Sequence, residues 1–155
     1  MGPWLSALAV SVVLWAVHPP SPHAYFARTF GFALAADAHD LRVNGHFLID
    51  SAHADYFFRC SETSAEELID RVGLEAMVEE GWPFHPAHEF LTRVPDPREW
   101  IGRRQYFKIG GFLGPLYYMT TNASMTEVFF TQTFIPRTKE IEEILSSMPG
   151  SKESR

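Results

Sequence analysis

The chain has 155 residues and a formal net charge of −6, from 19 acidic against 13 basic side chains, with a hydrophobic share of 46% and a charged share of 21%. That length holds one domain of ordinary size, able to bury a core without metal or disulfide staples, and the composition excludes both wholesale disorder and a multi-span membrane protein. The acidic balance argues against a phosphate-tracking surface and so against nucleic acid as a partner, while a single cysteine, Cys60, excludes an intramolecular disulfide and any multi-cysteine zinc or iron–sulfur site.

No Lys, Arg, Asp or Glu precedes Arg28, and Trp4 to Val17 is apolar apart from Ser6 and Ser11. A helix of that length spans about 20 Å against a hydrocarbon core of about 30 Å, so the run suits the apolar stretch of a signal peptide better than a full transmembrane helix. Residues 1–24 are therefore read as a signal-like or anchoring segment, closed by the Pro-rich His18 to Ala24. The run lacks a basic residue ahead of it, and Pro22-His23-Ala24 matches a cleavage site only loosely; the competing reading is a buried helix from Leu5 to Val17. Gly2 also fits a loose acylation pattern, against which Pro3 counts as a poor neighbour. An extracytoplasmic or membrane-associated protein, with a signal or transmembrane start, is expected.

A single α+β domain is expected over residues 25–148, followed by a polar, disordered tail at 149–155. Phe30 to Ala38, rich in Ala and Phe, predicts a short helix. Extended structure follows at Leu41-Arg42-Val43, then an Asn44-Gly45 turn signal, then His46 to Ile49. Asp50 to Asp55 reads as polar and turn-like, and Tyr56 to Cys60 as an aromatic strand that buries an inert thiol. Ser64-Ala65-Glu66-Glu67 forms a capping box, with Leu68, Ile69 and Val72 on one face of the helix it starts and acidic residues on the solvated face. Leu74 to Glu80 continues or restarts that helix after Gly73.

Trp82 to Glu99 contains four prolines and predicts a long irregular connection, with at most a turn of helix around Ala87 to Thr92. Gln105 to Ile109, Leu116 to Met119 and Thr126 to Phe134 read as strands, the last two joined in a hairpin by Thr121 to Ser124. Pro136 opens a final helix with Ile141, Ile144, Leu145 and Met148 at helical spacing. The expected architecture is a largely antiparallel sheet of four or five strands with the Ser64 and Pro136 helices packed on one face, and Phe57, Val128 and Ile144 in one core.

No nucleophile elbow, phosphate-binding glycine loop, dinucleotide fingerprint or calcium loop is present. Gly110 to Pro115 has glycines but no Lys-Ser/Thr ending, and reads as a turn. His85-Pro86-Ala87-His88-Glu89 offers two imidazoles and a carboxylate as zinc ligands, although zinc-binding helices place their histidines four apart and Pro86 breaks a helix through His85. Two loop histidines explain it as well. The segment from Trp82 to Lys108 also gathers Trp82, His85, His88, Trp100, Arg103 and Arg104, joining aromatic area to positive charge as a recognition surface does; the alternative makes the aromatics plugs that fasten the connection to the core. Asn122-Ala123-Ser124 is a glycosylation sequon at the predicted hairpin tip.

A well-signalled core with no catalytic template predicts an exported or membrane-tethered, non-catalytic binding or interaction domain, with a protein or membrane surface as partner and no obligatory cofactor. The alternatives are a metal-assisted hydrolase using His85, His88 and Glu89, with zinc, and a structural envelope protein with no specific ligand.

Overall fold

The computed structural model describes residues 21–47, 52–77, 88–110 and 114–134, with the backbone alone at 46, 47, 52, 88 and 89. The chain divides into two units, residues 1–34 and 35–155.

Within the first unit, α1 runs Pro22–Phe30. The Ser21 hydroxyl accepts from the Ala24 N–H at 3.2 Å, and Pro22 enters the first turn, where its missing N–H leaves no bond unmade. Gly31, at φ 74°, closes the helix. The helix expected over Phe30 to Ala38 thus ends where it was expected to begin, and part of the Pro-rich stretch read as a linker is its first turn. Phe26, Phe30 and Phe32 form an aromatic cluster, with ring centroids 4.4 Å apart for the first pair and 5.8 Å for Phe26 and Phe32.

The second unit is built on one antiparallel sheet. Its strands are β1 (His39–Phe47), β2 (Ala52–Arg59), β3 (Glu75–Ala76), β4 (Arg104–Ile109), β5 (Leu116–Thr121) and β6 (Glu127–Phe134), in the order β1-β2-β6-β5-β4-β3. Mixed α+β architecture with an antiparallel sheet is thereby established, with six strands where four or five were expected. Two-residue β3 is exposed and carries no alternation that a sequence pattern registers. Asn44-Gly45 lies inside β1, opposite Asp55 and Ala54, so cross-strand pairing overrides the local turn preference of that dipeptide. Ala52 to Asp55, read as turn, belongs to β2.

Helix α2 (Glu62–Val72) is capped by Ser61 rather than Ser64, whose N–H donates to the Ser61 hydroxyl at 3.3 Å. Gly73, at φ 73°, ends it by donating to the Ile69 carbonyl at 2.8 Å and to that of Asp70 at 3.1 Å. The chain then enters β3, so the helix does not continue through Leu74 to Ala76. A single helical turn, α3 (His88–Leu91), and a 3-10 turn at Pro97–Glu99 interrupt the connection to β4, as the proline spacing predicts. The expected helix from Pro136, with Ile144, lies outside the described residues.

Alternation along each strand gives the sheet two distinct faces. The aromatic face carries Tyr56, Phe58, Met119, Val128 and Phe130, all buried. Lys108, on that face, donates to the Val72 carbonyl and so seats the C-terminal end of α2 there, where a cation also suits the helix dipole. The opposite face carries Phe57 and Phe129, over which Phe90 and Val94 pack with Leu91 and Trp100. Phe57 and Val128 consequently do not share one core: Phe57 lies opposite Phe129, and Val128 opposite Phe58. Burial on both sides explains why β6 is buried from Val128 to Thr133. No helix among the described residues is long and apolar enough to cross a membrane, and Trp4 to Val17 falls outside them.

Candidate functional site

The face bearing Phe57 and Phe129 is apolar only in part. One register step along, the strands place Asn44, Asp55, Thr131, Tyr118 and Phe107 in a row across β1, β2, β6, β5 and β4. The step on the Phe57 side adds Thr120 and Gln105, and the step beyond adds His53 and Thr133. Asp55, Gln105, Thr120, Thr131 and Thr133 are all buried. A buried polar group costs free energy unless its hydrogen bonds are replaced, so such a row needs a reason.

Asp55 is the centre of it, with no exposed surface. Its Oδ1 accepts from the Thr131 hydroxyl at 2.8 Å. Nε2 of His53, whose side chain is 26% exposed, stands 3.0 Å from Oδ2, an ion-pair distance. The imidazole is not aligned to donate, and among the described residues Oδ2 has no hydrogen bond. The buried Nδ2 of Asn44, directly across the register, has none either. Farther along the row, Gln105 donates to the Tyr118 hydroxyl. Burial pushes the Tyr118 phenol up to about 12, against the opposing pull of Thr120, Arg103 and Gln105. Tyr118 therefore stays a neutral hydrogen-bonding group at any physiological pH.

No known family, curated protein or solved structure matches this chain. The site must be read from its own chemistry.

Of the residues singled out by sequence, Trp82 and His85 lie outside the described residues, as do the side chains of His88 and Glu89. Among the described residues no group of three or more His, Cys, Asp or Glu side chains is placed to hold a metal ion. Trp100, partly buried, packs against the Phe57, Phe90, Val94 and Phe129 cluster. Arg103 donates to the Arg98 carbonyl at 2.6 Å, and its charge favours the ionised form of the Tyr118 phenol. Arg104 is exposed and sets a guanidinium nitrogen 2.9 Å from the Met125 sulfur. β4 begins at Arg104, so Arg103 stands just ahead of the strand.

The buried polar row was missed by sequence reasoning because Ala, His and Asp are poor strand formers, which makes Ala52-His53-Ala54-Asp55 resemble a turn. Its signal was the period of two: His53, Asp55 and Phe57 alternate with Ala54, Tyr56 and Phe58, and Thr131 and Thr133 follow Phe129 at the same spacing.

Proposed function

We propose that the chain is a non-catalytic binding module whose ligand occupies the polar sheet face around Asp55. One observation carries this reading: a carboxylate with no exposed surface keeps one oxygen without a hydrogen bond among the described residues. Ionised carboxylates taken out of water cost several kcal/mol unless they are fully paired, and proteins keep such costly groups where the group serves a ligand. The aromatic face also buries the polar side chains of Thr121 and Gln132, but none of its strand residues is a carboxylate.

Replacement of Asp55 by Asn separates a ligand site from a structural ion pair. The substitution preserves shape and the acceptor for Thr131, and it removes the charge; His53, partly exposed, is not stranded by the loss. For a ligand site, Asp55→Asn keeps or raises the melting temperature and abolishes the thermal shifts that wild type shows in a screen of small polar molecules. If the pair is instead a structural strut, the variant loses about 3–5 kcal/mol of stability, as broken buried pairs do, and the proposal fails.

The uncharged stretch before Arg28 supports presentation of this module outside the cytoplasm or on a membrane. Fractionation with N-terminal sequencing is expected to recover it there, cleaved or anchored; intact chain wholly in the soluble cytoplasm overturns that placement.

A further inference from the structure

The geometry points to a neutral ligand edge, a hydrogen-bond donor beside an acceptor, as the chemistry that Asn44 and Asp55 recognise. This rests on the binding reading above and names its ligand class. Asn44 and Asp55 are directly opposed on β1 and β2, which sets their Cβ atoms about 5 Å apart on the same face. One presents a buried donor, Asn44 Nδ2, and the other a buried acceptor, Asp55 Oδ2, each without a hydrogen bond among the described residues. A ligand that satisfies both must accept at one atom and donate at its neighbour.

That requirement excludes the two simplest charged classes. A carboxylate or phosphate satisfies Asn44 but meets the Asp55 carboxylate with like charge. An ammonium satisfies Asp55 but turns a donor toward the Asn44 amide, and it competes with an imidazole already 3.0 Å from the same oxygen. A primary amide, a lactam edge and a vicinal diol all carry a donor next to an acceptor without net charge. Thr131 fits this scheme, since its hydroxyl is spent on the other oxygen of Asp55 and so holds the carboxylate in orientation. Strand pairing fixes both backbones, so the pair is preorganised and little entropy is lost on binding.

The test follows the Asn44 side-chain amide and the Thr131 backbone amide by NMR in the full chain, during titration with acetamide, cis-1,2-cyclohexanediol, butylammonium and acetate. Saturable shifts with acetamide or with the diol are expected, and which of the two binds distinguishes an amide edge from a diol. Either charged probe should bind at least about tenfold more weakly, the equivalent of one lost hydrogen bond. Asn44→Ala, checked for an unchanged backbone spectrum, is expected to weaken the neutral probe by about tenfold through the same loss. Saturable shifts at this row from butylammonium or acetate, with the neutral probes silent, would overturn the edge while leaving a binding site in place. Silence from all four probes would overturn both the edge and the binding reading.

Discussion

Asp37 ties the approach to β1 onto the start of α2. Its Oδ2 accepts from the Ser61 N–H at 2.8 Å and its Oδ1 from the Ser64 hydroxyl at 2.7 Å, which adds a carboxylate to the positive end of the helix. These bonds lower its pKa to about 2. A carboxylate whose folded pKa lies below its unfolded value of about 3.9 stabilises the fold fully above that value and loses the contribution as pH falls through the folded one. Melting of wild type and Asp37→Ala should accordingly differ at pH 6 and converge as pH falls from about 4 toward 2. A difference that persists unchanged at pH 2 means the bonds do not depend on the charge. The same carboxylate, after burial itself, helps push the Cys60 thiol up to about 11, in keeping with an inert cysteine. At this scale Cys60 was legible, because a lone thiol in an aromatic strand is ordinarily core. Asp55 was not, because its burial is created by strands that pair with β2 from far along the chain.

Among the elements, the β4 to β5 connection depends on a close approach at Gly110, whose N–H donates to the Pro115 carbonyl at 2.8 Å. A Cβ there would lie 2.6 Å from that same oxygen and 3.0 Å from the Gly114 carbonyl carbon. Gly110→Ala is expected to cost about 1–3 kcal/mol, read as a lowered denaturation midpoint at unchanged slope. A midpoint equal to wild type would show that the connection opens freely. The hairpin of β5 and β6 was the most legible element. Its strands alternate, and Asn122 organises the turn between them: its Oδ1 accepts from Thr126 N–H at 2.9 Å and Glu127 N–H at 3.2 Å. Its Nδ2, the atom a glycan would modify, donates to the Thr126 hydroxyl at 3.2 Å. Local signals failed where two of them compete. Ser61 and Ser64 are both good caps, and the Asp37 contact, invisible locally, accompanies the earlier start. Asn44-Gly45 signals a turn but is held extended by six consecutive pairs between β1 and β2, from Arg42 to Phe47.

In the molecule as a whole, both faces of the second unit's sheet pack apolar side chains, and one of them also buries the row centred on Asp55. Composition alone fixed the broad class, but the division between faces depends on register, which no single segment contains. The pairing of β2 with β6 makes that division possible, joining residues far apart in the chain: Arg59 bonds Glu127 across 68 positions, and Thr131 bonds Asp55 across 76. Such contacts are reached only after a large loop closes, and sheets dominated by them fold slowly. Asp55 is expected to shed its water in the same event that completes the centre of the sheet, which makes the desolvation of one carboxylate part of the kinetic barrier. Stopped-flow refolding should show Asp55→Asn folding faster than wild type, with the unfolding limb little changed. Equal folding rates would place the loss of water after the barrier. In this protein, the proposed readiness to hold a ligand would then be set against speed of folding, with both governed by the same oxygen.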